Sequence, residues 1–137
     1  MISLKGTQGP KKKKEEYDLK VLIVEPLALP RVAEIEDSLE AMQEVVGGLI
    51  EAVYPFEDPV ALICNEEGKN LGLLPNRLLM DQEGQIYDVI MGTFFLCSCP
   101  PDSENFESLT DEMIEKYQLF YRRIDWIDLF LGLEPQC

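Results

Sequence analysis

Apolar and polar positions change their period several times along the chain, and each change marks an element. LKVLIVEP (19–26) is a continuous apolar, β-branched run closed by Pro26, the pattern of a buried strand. RVAEIE (31–36) predicts a second strand, with Val32 and Ile35 expected to face inward. From Asp37 the spacing becomes helical: Leu39, Met42, Val45 and Val46 share a face. Asp37 with Glu40 resembles a capping box, and Gly47-Gly48 is a stop, so the spacing predicts a helix at about 37–47. LIEAVYPF (49–56) alternates as a strand does, EDP (57–59) turns the chain, and VALIC (60–64) is the expected antiparallel neighbour.

In CNEEGKNLGLLPNR (64–77), Asn65 to Gly68 has turn chemistry, because Asn tolerates and Gly permits left-handed backbone. Leu71, Leu73 and Leu74 should return the chain to the core, and Pro75-Asn76 should bend it again. QEGQ (82–85) is another turn. IYDVIMGTFFLCSC (86–99) then reads as one long strand, with Gly92 as a bulge or close-packing point. Thr110 is placed to cap a C-terminal helical region (about 110–133), with Asp111 and Glu112 favourable against the helix dipole. IDWIDLFLGLEP (124–135) extends that helix or forms another.

The order β-β-α-β-β-β-α predicts an α+β fold, a curved and mostly antiparallel sheet of about five strands with helices packed on it. Residues 1–17, with Lys11–Lys14 beside Glu15-Glu16, are expected to form a flexible basic leader before a single domain over 18–137. The 137-residue length suffices for a core without staples, and the 46% apolar share is that of a globular chain. No apolar run approaches the ~20 residues of a membrane helix. The opening MISLKGTQGPKKKK lacks the apolar core of a secretory signal, and four cysteines without framework spacing suit a reducing cytoplasm.

Charge alters the picture more. Residues 1–20 carry six lysines and three acids, a net of +3, whereas residues 21–137 carry six Lys or Arg against 23 acids, a net of −17. Such a body repels nucleic acid and anionic membrane and attracts a basic protein surface. The expectation is therefore no direct nucleic-acid binding, no membrane association, and a protein partner with a basic face. Glu66, Glu67, Asp81, Glu83 and Asp88 are the acids expected to present that partner-binding face.

Candidate chemistry is thin. There is no histidine, so Cys-His and Ser-His-Asp machinery is excluded. Cys64, Cys97 and Cys99 could offer thiolates if their strands paired, but the spacing is not that of a zinc site, and core filling is the simpler reading. Neither metal nor cofactor is expected, and GKNLGLLPNR fails the spacing of a phosphate loop. Asn65, Asn76 and Arg77 are expected to lock the loop through backbone hydrogen bonds, with Arg77 paired to Glu66, Glu67 or Asp88. A ligand loop of Asn65, Lys69, Asn76 and Arg77, holding a small anion such as a nucleotide signal, is the alternative. The segment 124–133 is apolar almost all round, so Trp126, Ile127, Leu129 and Phe130 should bury themselves in the monomer or in another chain, a self-assembling protein being a third reading.

The series SLEAMQEVVGGLIEAVYP (38–55), VALICNEEGKNLGLLPNR (60–77), IYDVIMGTFFL (86–96) and SLTDEMIEKY (108–117) resembles a family of small uncharacterised proteins from bacteria, their phages and conjugative elements. The resemblance covers about 20–120 and leaves out the leader and the segment after Tyr121. It implies no catalytic residue. It implies a setting in which small acidic proteins often inhibit host defence, and some proteins that look like its members are suspected inhibitors of CRISPR nucleases. The expectation drawn from charge and resemblance together is a non-enzymatic phage or mobile-element accessory protein. It would act in the bacterial cytoplasm, binding and inhibiting a host protein such as a CRISPR or restriction nuclease.

Overall fold

The computed structural model describes residues 18–123. Seven strands and three helices follow in order: β1 (Asp18–Val24), β2 (Arg31–Glu36), α1 (Leu39–Val46), β3 (Ile50–Val53), β4 (Val60–Asn65), the single turn α2 (Gly68–Leu71), β5 (Pro75–Met80), β6 (Ile86–Met91), β7 (Phe94–Ser98) and α3 (Asp111–Phe120). The fold is α+β. Five strands form an open antiparallel sheet in the order β2-β1-β7-β4-β3, and β5 and β6 make a separate two-stranded sheet.

The five-stranded sheet buries both faces. On one, Leu19, Val21, Ile23, Ala61, Ile63, Phe95 and Cys97 pack with Met42 and Val46 of α1. On the other, Leu22, Val24, Val60, Leu62, Phe94 and Leu96 meet Leu79 and Ile90 of the β5–β6 hairpin and Ile114, Tyr117 and Tyr121 at α3. β1, β4 and β7 therefore read as unbroken apolar runs, because alternate residues face two different cores. Burying each large apolar side chain contributes about 1.5–3 kcal/mol, so these three strands anchor the molecule. The edge strands differ. In β2 the inward residues are Ala33 and Ile35, which pack against the α1-side core, while Val32 is exposed. That corrects the expectation for Val32: with a two-residue period it cannot share a face with Ile35.

Four other expectations change. Leu71 and Leu74, expected to return the chain to the core, are both exposed. The cap of α1 is Ser38, whose hydroxyl accepts from the Ala41 amide at 3.1 Å, so Asp37 lies one residue outside the helix and Leu39 is exposed. Gly47 ends α1 in the left-handed conformation at φ 81°, and the Gly47 and Gly48 amides both donate to Gln43 O. PNRLLM forms a strand of its own, β5, where a bend was expected. And 86–99 is two strands in two sheets, broken at Gly92. Gly92 has φ +87°, and a Cβ there would lie 2.6 Å from Leu73 Cδ1. The break thus needs glycine twice over, for its backbone and for the close approach of Leu73.

The C-terminal helix begins as its sequence predicts: Thr110 Oγ1 accepts from the Met113 amide at 3.1 Å, with Asp111 and Glu112 in the first turn. It ends at Phe120, and a turn over 121–123 follows. The leader 1–17 and the remainder of the expected helical region, with Trp126, Ile127, Leu129 and Phe130, lie outside the described residues.

Candidate functional site

The β5–β6 hairpin lies over the sheet face that carries β3 and β4, and two clefts open along that seam. The first, about 660 Å³, is lined by Tyr54, Pro55 and Glu57 from the β3–β4 connection and by Met80, Asp81, Gln82, Glu83 and Tyr87 of the hairpin. The second, about 340 Å³, lies between Glu51 of β3, residues 64–70 and residues 88–91. Consecutive residues of β6 contribute to them, Tyr87 to the first and Asp88 to the second.

The linings are acidic. Glu57, Asp81 and Glu83 line the first cleft, and Glu51, Glu66, Glu67 and Asp88 the second, against Lys69 as the single Lys or Arg among the described lining residues. Lys69 is paired with Asp88, and that hydrogen bond pulls the Asp88 carboxyl below its ordinary value. In the first cleft Gln82 Nε2 donates to Glu57 Oε2 at 3.0 Å, tying the two walls together. Asp81 is committed to the hairpin tip: its Oδ1 accepts from the amides of Glu83 and Gln85, both at 2.9 Å. All five acids expected on the partner face therefore lie on this seam, distributed between two clefts. Glu51, Glu57, Tyr54, Met80 and Tyr87 join them without having been singled out in the sequence. The available signal was Glu51, an acid in phase with the core-facing Val53 of β3, which marks an inward edge that is wet.

The residues expected to form a ligand loop do not converge. Asn65 and Lys69 line the second cleft, whereas Asn76 and Arg77 are fully buried. Asn65 holds the 64–68 turn: its Nδ2 donates to Val46 O at 3.1 Å and its Oδ1 accepts from the Glu67 amide at 2.8 Å. Asn76 clamps two strand ends, with Nδ2 donating to Val24 O and to Gly92 O, each at 2.8 Å. Its Oδ1 accepts from Arg77 Nη1 at 2.8 Å. The Arg77 fork reaches further, donating from Nη2 to Ala28 O at 2.8 Å and to Tyr121 O at 2.7 Å, with Nε also directed at Tyr121 O. These bonds run to backbone carbonyls of the β1–β2 loop and the end of α3, away from the Glu66, Glu67 and Asp88 partners expected from the sequence. Arg77 fastens three distant segments together.

Cys64 lines the second cleft, where burial, helped by neighbouring Glu51, pushes its thiol up to about 11. It stays protonated near neutrality and is a poor nucleophile. Cys97 packs on the opposite face of the sheet, its thiol raised to about 12 by burial. Although β4 and β7 pair, the two thiols face different cores. Among the described residues no cluster of His, Cys, Asp or Glu is placed to hold a metal ion, and no helix is long and apolar enough to cross a membrane.

An open antiparallel sheet with a hairpin laid over one face, leaving an acid-lined seam, is the architecture at hand. Residues 19–122 match the family described as Domain of unknown function (DUF3846), and the chain belongs to that family. No curated protein and no solved structure matches the chain.

Proposed function

We propose that this is a non-enzymatic binding protein that engages a basic protein surface through the acidic seam between β3 and β6. One observation carries the reading: among the described residues, seven carboxylates line the two clefts beside the hairpin, with a single ammonium that is already paired. Concentrated negative potential of this kind steers a cationic partner and disfavours nucleic acid itself. A groove that normally holds a polyanion is a fitting counterpart, since a duplex presents about one charge per 1.7 Å of axis. The resemblance to proteins of phages and conjugative elements makes a host nucleic-acid-handling enzyme, in the first place a CRISPR or restriction nuclease, the partner to test. The protein would act as its inhibitor in the bacterial cytoplasm.

Capture from host lysate at low and high salt, with mass spectrometry of the retained proteins, tests this. A nucleic-acid enzyme is expected to be retained at low salt, released at high salt, and lost from Glu66→Gln/Glu67→Gln/Glu83→Gln. The control Glu40→Gln/Glu44→Gln/Glu115→Gln neutralises three exposed acids elsewhere and should retain it. Equal loss from both triples would make net charge, not the seam, the determinant, and would overturn the proposal.

A further inference from the structure

The larger cleft differs in kind from the rest of the seam. Its lining combines acids with aromatic and apolar surface: Tyr54 is 61% and Tyr87 57% exposed, one from the β3–β4 connection and one from the hairpin, and Pro55 and Met80 line the same cleft. Exposed large apolar groups gathered at one concave place mark binding surfaces, where singly scattered ones do not. None of the ion pairs among the described residues involves Glu57, Asp81 or Glu83. Among the described residues, Glu57 and Glu83 therefore line this cleft without an ion pair. The walls are linked by the Gln82–Glu57 bond, and the hairpin tip is held by Asp81 and by the Gly84 amide donating to Asp81 O at 3.0 Å.

Two exposed tyrosines lining one cleft with carboxylates that make no ion pair among the described residues suit a side chain that is flat, apolar in its stem and cationic at its head. The guanidinium of arginine meets that description best, because it stacks on aromatic rings and forks onto carboxylates together. We propose that the Tyr54–Tyr87 cleft is the specificity pocket of the seam and takes an arginine side chain of an extended basic segment in a partner protein. This rests on the proposed function and narrows it, because it says which part of the seam recognises and which part only attracts. The second cleft, with no aromatic lining among the described residues and its Lys69–Asp88 pair, supplies field rather than fit.

The test is anisotropy of a short fluorescent peptide alternating arginine with glycine, against the whole 137-residue chain. The same peptide with citrulline in place of arginine keeps the shape and removes the charge. The arginine peptide should bind and the citrulline peptide should not. Tyr54→Ala/Tyr87→Ala should weaken binding about tenfold, consistent with two cation–π contacts of about 0.5–1 kcal/mol each. Glu57→Gln/Glu83→Gln should weaken it comparably, and Glu66→Gln/Glu67→Gln by less than about threefold, through screening-sensitive field alone. Thermal melting of each variant confirms folding.

If Glu66→Gln/Glu67→Gln weakens binding as much as the tyrosine pair does, the peptide sits elsewhere and the pocket is refuted, while the lysate experiment above still stands or falls by itself. Equal binding of the citrulline peptide would refute the arginine assignment. If changing Lys11–Lys14 to Gln in the full chain raises the peptide's affinity several-fold, the occupant is the protein's own lysine run, which overturns the assignment to a partner.

Discussion

At the scale of single residues, the side chains in this protein that look most chemical are spent on holding it together. Asn76 uses both ends of its amide, and Arg77 divides its donors among Asn76, Ala28 and Tyr121 in a site closed to solvent. A buried carbonyl stripped of its donor costs about 1–3 kcal/mol, and Asn76 serves two. Asn76→Ala should therefore lower stability by at least about 2 kcal/mol, read as a shift in the urea midpoint. Asn70→Ala, at an exposed position of the preceding turn α2, should stay within about 0.5 kcal/mol. Comparable losses from the two would mean that the clamp contributes nothing. Arg77→Lys should also destabilise, since a point charge cannot reproduce a planar fork reaching two loops at once. Sequence reading could name Asn76 and Arg77 as loop-locking residues. It could not find their acceptors, because Val24, Ala28 and Tyr121 contribute backbone oxygens, which leave no mark in the residue alphabet.

At the scale of elements, legibility followed the strength of the local pattern. The apolar runs of β1 and β4, the four-residue spacing of α1 and the Thr110 cap are signals that tertiary context reinforces. β5 was hidden because it opens with Pro75 and then Asn76 and Arg77, two polar residues buried by partners from elsewhere in the chain, so its apolar run is only three residues long. The division of 86–99 was hidden for a different reason: both halves are strand-like, and only their assignment to separate sheets distinguishes one strand from two. Gly92 was the available sign. Gly92→Ala and Gly84→Ala make a calibrated pair, since both sites have positive φ but only Gly92 lacks room for a methyl group. The first should lose clearly more stability than the second, which bears just the left-handed cost of about 1–3 kcal/mol, as judged by thermal melting. Equal losses would show Leu73 yielding freely. The seam itself was half legible. Its acids stood out in the sequence, but its aromatic end did not, because Tyr54 and Tyr87 lie 33 positions apart and meet only through the packing of the hairpin on the sheet.

At the scale of the whole molecule, the titrating groups set a window. Asp58 is held below the ordinary carboxylate value by hydrogen bonds from Lys116 and Tyr117, and Asp88 by Lys69. Groups that bind protons more weakly when folded contribute stability above the unfolded value of 3.8 and lose it as the pH falls through the folded value. Cys64 and Cys97 are shifted the opposite way, so their contribution is complete below 9.0 and is lost as the pH rises toward about 11 and 12. Urea midpoints should accordingly show a plateau between about pH 4 and pH 9, declining on both sides, with the acid limb made shallower by Asp58→Asn. A maximum at pH 3 would contradict it. Within the plateau, raising salt from about 0.01 to 0.15 M should stabilise the protein, because it screens repulsion within an acidic body.

The place of β7 in the middle of the sheet carries a last consequence, for how the chain emerges during synthesis. β1 pairs with β2 and β4 with β3, but no strand hydrogen-bonds the two ribbons together until Phe94–Ser98 arrives to lie between them; before that only side-chain packing by α1 and the β5–β6 hairpin can bridge them. Until then the nascent chain carries two hairpins whose inner edges, β1 and β4, are long, apolar and open, the arrangement most prone to pairing with a neighbour. A message ending before codon 94 would yield sticky half-sheets rather than a smaller version of the protein. The ribosome therefore has to deliver its most buried strand after every other strand has been waiting for it.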